Sequence, residues 1–254
     1  MFRLFLAAIT LLLIKPALAI GISEITVCWE EGLKPPYLML NEQQKVTGIA
    51  VDMLNEILEH EKIKAINVLR PWKRCLEQIK TNEVTLVPNA SFNEERAQFS
   101  HYTKPLYETH LVLFYRKDVF PEQPQVKTME SLSKYRVIGI NGFNYQRYQK
   151  KIMIDTGALD RKAQFAMLVA GRGDFAAEQL EVHQYLDKQN KPRSLALDYI
   201  PDPAQGTQPF YILVSKAFLQ GNELASLIDK GIDRWKAKGL DKKLVEKYLA
   251  LPEE

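Results

Sequence analysis

The chain has 254 residues and a formal charge of +3, with 34 Lys and Arg against 31 Asp and Glu. That near balance excludes the strongly basic character by which a protein is drawn to nucleic acid or anionic lipid. His60, His101, His110 and His183 are scattered and the two cysteines form no CxxC pair, so no structural metal and no cofactor are expected.

The first residues read as an export signal. Arg3 opens it, Leu4 to Ile14 is an apolar run, and Ala17-Leu18-Ala19 offers small residues at the spacing a signal peptidase reads. The run is shorter than the roughly 20 apolar residues a membrane span needs, and Lys15 and Pro16 interrupt it. A buried N-terminal helix or an anchor is the alternative. Cleavage after Ala19 sends a 235-residue chain beginning at Ile20 to the periplasm and lowers the charge to +1, because Arg3 and Lys15 leave. Such a length suits one large domain or two modest ones of about 100–150 residues. Cys28 and Cys75 both remain. An even pair in an oxidising compartment favours a disulfide over two buried thiols.

Along the chain, strand and helix signals alternate, which points to α/β architecture with mostly parallel strands. Glu24 to Trp29 reads as a strand. Ile49, Met53, Leu54, Ile57 and Leu58 recur at helical spacing within Gly48 to His60. Lys64 to Leu69 is a second strand, Pro71 opens a helix reaching about Thr81, and Thr85 to Pro88 is a third strand before a polar loop, Asn89 to Arg96. Further strands are read at Leu111–Tyr115, Arg136–Ile140, Asp174–Ala177 and Phe210–Ser215. Asn141-Gly142 is a turn signal before a helix-like segment from Tyr145. Two amphipathic helices close the chain, with Leu224, Leu227, Ile228, Ile232 and Trp235 on one face and Leu240, Leu244, Val245 and Leu249 on the next.

Pro35-Pro36-Tyr37, Thr47-Gly48 and Val51-Asp52, then Asn93-Glu94-Glu95-Arg96, Phe99-Ser100 and Lys104-Pro105-Leu106-Tyr107, then Gly171-Arg172-Gly173-Asp174, Ser215-Lys216 and Lys238-Gly239 stand in one order. In that order and spacing they resemble the solute-binding proteins of amino-acid ABC transporters (family 3, with the type II periplasmic-binding-protein fold). The resemblance runs from about Ile25 to Leu249. It implies two α/β lobes, each a mostly parallel sheet flanked by helices: residues 20–112 with 206–254, and residues 113–205. Two strands would cross between them near Tyr107 to Val112 and Pro203 to Pro209, with the ligand in the cleft.

Ligands of open α/β sheets sit beyond the carboxyl ends of the strands, which nominates the loops Glu30 to Tyr37, Arg70 to Arg74, Asn89 to Arg96 and Asn141 to Asn144. Arg96 leads, because a guanidinium matches a carboxylate with two parallel donors. The resemblance implies the same role, with Ser91 assisting; a surface arginine paired with Glu94 or Glu95 is the plain alternative. Trp72 stands where relatives carry an aromatic that covers the ligand, or else it packs into the core beside Pro71. Tyr37, Glu31 and Asn89 line these loops by the same logic. Arg70, Lys73 and Arg74 make that side basic unless they only solvate the helix. Gly142 and Asn144 offer free backbone N–H groups at a strand-to-helix turn, or form an ordinary turn. Where the family places an Asp to meet the ligand's ammonium, this chain has Gln179 with Glu178 one position earlier. Either Glu178 takes that role or the ligand lacks an α-amino group.

The resulting expectation is a monomeric, non-enzymatic carrier that captures an amino acid or related carboxylate by cleft closure and delivers it to an inner-membrane ABC permease. No Ser-His-Asp order, metal spacing or phosphate loop is present. Two rival readings share the cleft: a periplasmic dehydratase of the cyclohexadienyl or arogenate type, using Glu178 or Glu31 as acid or base, and a ligand sensor serving a membrane receptor.

Overall fold

The computed structural model describes residues 21–148, 151–189, 196–204 and 206–249; the segment read as an export signal, with the expected cleavage site, lies outside the described residues. In chain order the elements are β1 (Glu24–Glu30), β2 (Met39–Leu40), β3 (Val46–Thr47), α1 (Ile49–His60), β4 (Lys64–Arg70), α2 (Trp72–Lys80), β5 (Leu86–Ala90), α3 (Glu94–Phe99), β6 (Ser100–Tyr102) and β7 (Tyr107–Arg116). There follow α4 (Met129–Leu132), β8 (Val137–Ile140), a 3-10 turn at Gln146–Tyr148, β9 (Ile154–Ala158), α5 (Arg161–Val169), β10 (Phe175–Gln179) and α6 (Leu180–Gln189). The chain closes with β11 (Leu197–Pro201), β12 (Thr207–Ser215), α7 (Gly221–Ala237) and α8 (Leu240–Leu249).

The main sheet runs β4-β1-β5-β12-β7-β10-β8-β9, with β6 on β12 and β11 on β7. Parallel pairs lie toward its two ends: β1 with β4 and β5, and β8 with β9 and β10. Between them, β7 and β12 pair antiparallel from Tyr107↔Phe210 to His110↔Thr207 and continue into both halves. The apolar cores divide likewise. One gathers α1 and α7 on β1 and β12 (Met53, Ile57, Val27, Ile212, Ile228, Ile232), and another gathers Leu113, Val137, Tyr148 and Phe175.

Local chemistry explains the placement. The α1 residues at helical spacing, Ile49, Met53, Leu54, Ile57 and Leu58, are all buried, each stabilising by roughly 1.5–3 kcal/mol relative to exposure. This helix has no side-chain cap; the Ile49 and Ala50 N–H groups donate instead to the carbonyls of Pro36 and Tyr37. Gly48, at φ 120°, permits that approach, because a Cβ there would lie 2.7 Å from both carbonyl oxygens. Asp52 of the same motif accepts from the Tyr248 hydroxyl and so ties α1 to α8. Cys28 and Cys75 form a disulfide with Cα atoms 5.7 Å apart, joining β1 to the first turns of α2.

Two expectations need correcting. The third strand begins at Leu86 and runs to Ala90, so Asn89 belongs to a strand and not to a loop. The segment from Tyr145 is no helix but a single 3-10 turn, followed by β9 and α5. There the Asn144 side chain accepts from the Gln146 N–H, and the buried Tyr148 donates its hydroxyl to Asp202.

Candidate functional site

The carboxyl ends of β1 and β5, with the start of α2, face the ends of β8 and β10 across a cavity of about 60 Å³. This is where parallel sheets present ligands. On the first wall stands Arg96, only 8% exposed. Its backbone is held at both ends: the Asn93 side chain accepts from its N–H, and Ser100 donates its hydroxyl to its carbonyl. Its guanidinium lies 5.0 Å from the Trp72 ring centre and donates through Nη1 to the Ser91 carbonyl. Burial lowers its pKa, with Tyr102 pulling the other way; an arginine starts high enough to stay charged regardless. Its alternative partners, Glu94 and Glu95, form no ion pair with it among the described residues.

Beside it, Asn89 adopts left-handed backbone geometry at φ 60°, a conformation asparagine tolerates. Its Oδ1 accepts from the Tyr107 hydroxyl at 2.9 Å, and its buried Nδ2 has no partner. Lys34, 2% exposed, points its ammonium at the Phe210 ring, 3.0 Å from the centre. Tyr37, Tyr107 and Phe210 stack behind it. Burial pushes Lys34 well below the ordinary lysine range against the pull of Glu30. Burial raises the Glu30 carboxyl in turn, while Arg161 and Lys34 draw it down.

The opposite wall is built from the ends of β8 and β10 and the start of α5. Arg161 opens α5, whose N-cap is Asp160. Its Nε lies 2.8 Å from Glu178 Oε2, and its Nη1 donates to the Leu33 carbonyl across the cavity. The Glu178 pair is in ionic contact without aligned hydrogen-bond geometry, and Arg161 Nε and Nη2 have no hydrogen-bond partner. Glu178 Oε1 accepts from the Gln179 N–H. Arg147 is matched separately by the fully buried Asp202 carboxylate at 3.3 Å. Asn144 bridges the walls, donating to Ser91 Oγ (3.1 Å) and the Phe92 carbonyl (2.8 Å).

A model of the bacterial extracellular solute-binding proteins, family 3, matches residues 25–250. The chain belongs to that family. Solved structures agree in fold. ArgBP from T. maritima, as a mutant, is 19% identical over 89% of this chain and 95% of its own, with a TM-score of 0.68. A histidine kinase sensor domain with similarity to periplasmic binding proteins is 19% identical over 92% and 99%, TM-score 0.71. The ancestral amino acid-binding protein AncCDT-1, a precursor of cyclohexadienyl dehydratase, is 18% identical over 90% and 96%, TM-score 0.70. A search of curated proteins returns no match.

Within this family 3 solute-binding protein, Arg96, Ser91, Trp72, Asn89, Gly142, Asn144 and Glu178 meet at the one cavity. Trp72 is half-buried and stands at the cavity, so the purely core-packed alternative does not describe it. Tyr37 and Glu31 do not line it. Tyr37 lies behind the wall, stacked on Tyr107 at 3.9 Å, and Glu31 is exposed because β1 runs one residue longer and gives the cavity Glu30. Arg70, Lys73 and Arg74 are exposed and also absent from its lining. The cavity's basic character comes instead from Arg96, Arg161, Arg147 and Lys34. Of these, Arg161 carried a readable signal: Asp160 followed by a run of helix formers is an N-cap pattern that places the arginine at a helix start. Lys34 carried none. Among the described residues no cluster of three His, Cys, Asp or Glu is placed to hold a metal, and no helix is long and apolar enough to cross a membrane.

Proposed function

We propose that this solute-binding protein is exported to the periplasm, where it captures a small carboxylate-bearing solute (an amino acid or a related acid) and delivers it to an ABC permease. Capture occurs by closure of lobe 113–205 on the lobe formed by 20–112 and 206–254, and a monomer suffices. The observation that carries this reading is Arg96: a buried cation with no carboxylate in ion-pair contact among the described residues, backed by an indole and facing a cavity that Asn144 spans. Its remaining donors suit the two oxygens of a carboxylate. Affinity arises from contacts that only the closed arrangement provides, and no covalent chemistry is required.

A thermal-shift screen of the mature, oxidised protein against amino acids, dipeptides, polyamines and organic acids tests the reading. A ligand at about 100 times its dissociation constant adds about 2.7 kcal/mol of stability. Arg96→Ala should weaken any carboxylate hit by roughly 100-fold or more, with the unliganded protein still folded by circular dichroism. Hits confined to polyamines, or unchanged carboxylate affinity in Arg96→Ala, would sink the assignment.

A further inference from the structure

Accepting that Arg96 receives the carboxylate, the rest of the cavity limits what that carboxylate is attached to. We infer that the ligand is a small monocarboxylic acid with an oxygen and no ammonium at its second carbon, of the 2-oxo or 2-hydroxy class.

Three observations carry this. First, the nearby carboxylates already face the protein's own cations: Glu178 is in contact with Arg161 at 2.8 Å, and Asp202, behind the lining, is matched by Arg147 at 3.3 Å. Glu30 shares the cavity with Lys34, whose charge opposes its own. Secondly, Lys34, Arg96, Arg147 and Arg161 line the cavity against only Glu30 and Glu178, and Asp202 meets Arg147 from outside the lining, leaving one positive charge in excess among these groups. A proton passed between Glu30 and Lys34 leaves that count unchanged. One ligand anion balances it, whereas a zwitterion would add a buried cation with nothing opposite. Thirdly, the buried cavity atoms without a hydrogen-bond partner include three donors, Asn89 Nδ2 with Arg161 Nε and Nη2, beside the acceptors Glu178 Oε2 and Gln179 Oε1, and Tyr107 fixes the asparagine's orientation by occupying its oxygen. Donors call for an acceptor such as a ketone or hydroxyl oxygen. Gln179 Oε1, buried without a partner, can take a hydroxyl proton. Space is short: about 60 Å³ holds roughly four to six water-sized groups, the scale of a three- or four-carbon acid.

Isothermal titration of the wild-type protein with pyruvate, lactate, 2-oxobutyrate and 2-hydroxybutyrate, beside alanine and 2-aminobutyrate of matched size, decides the matter. The oxygen-bearing acids should bind and their amino counterparts should be roughly 100-fold weaker. Arg161→Gln, which strips Glu178 of its cation, should narrow that gap by favouring the amino series. Amino acids that bind the wild type as well as or better than their counterparts overturn the inference and leave carboxylate capture standing. Silence from both series also overturns it, and carboxylate capture falls with it only if the wider screen is silent too.

Discussion

The Tyr145 hydroxyl accepts a 2.7 Å hydrogen bond from the Ile140 N–H, and burial of its ring pushes its pKa up to about 12 against that bond. An unfolded tyrosine titrates near 10. A group whose pKa is raised on folding contributes stability that is intact below the unfolded value and is lost as pH climbs toward the folded one. For Tyr145 that window is pH 10 to about 12. Tyr145→Phe should be less stable at neutral pH by about 1–3 kcal/mol, because the Ile140 N–H loses its acceptor. Urea titrations should then show the gap between mutant and wild type narrowing from pH 10 upward; a gap that stays constant to pH 12 would place the phenol in solvent. At this scale the sequence was readable where one residue type suits one chemistry. Arg96 stands out by its forked donors and its flanking Asn93 and Ser100. Lys34 was not readable, because its burial depends on Tyr37, Tyr107 and Phe210 stacking from three separated segments, and no local pattern encodes that. Glu30 opened the nominated loop, yet Glu31 was named in its place, because strand ends are set by pairing, here of Glu30 with Arg70.

Among the elements, those with strong periodicity were legible and those without were not. α1 and α7 show it plainly, and their packing adds a constraint no pattern reveals: a Cβ on Gly231 would come 2.5 Å from the Ile57 side chain. β9, β11 and the β2–β3 hairpin are short or half-exposed, and their sequences carry little alternation to distinguish them from loops. Helix α5 is weakly amphipathic, since its buried residues include the polar Gln164, whose Nε2 bridges the Ile138 and Ala177 carbonyls of neighbouring strands. The disulfide was legible in kind from parity and compartment, and its geometry follows from β1 and α2 being adjacent. It closes a loop of 47 residues' separation, which restricts the unfolded chain by about 3–4 kcal/mol on the chain-entropy model. The double variant Cys28→Ser with Cys75→Ser should therefore melt about 10 °C lower while its ligand affinity changes little, as neither cysteine lines the cavity. A melting point that does not move would mean the two elements hold together without the bond.

For the whole molecule the question is what holds the two walls together. The crossing strands β7 and β12 provide continuity, and α6 packs on both sides: Val182 joins the first core, while the His183 ring lies tilted against Phe114 of β7, centres 4.0 Å apart. Glu181 at its start accepts from the His110 backbone N–H on β7 and meets the imidazole Nδ1 at 2.6 Å. These contacts lie beside the crossing strands. Across the mouth, the hydrogen bonds among the described residues run from Asn144 to Ser91 and Phe92 and from Arg161 to Leu33. Each such bond is worth about 0.5–1.5 kcal/mol net, which is enough to bias closure without locking it. Asn144→Ala removes two of them and should shift the unliganded population toward the open form. Because apparent affinity scales with the closed fraction, any ligand should bind about tenfold more weakly. Small-angle scattering separates this from a lost ligand contact: the unliganded variant should have a larger radius of gyration than wild type, and saturating ligand should bring both to the same value. Equal radii without ligand would show that the side chain does not govern closure and acts, if at all, on the ligand itself.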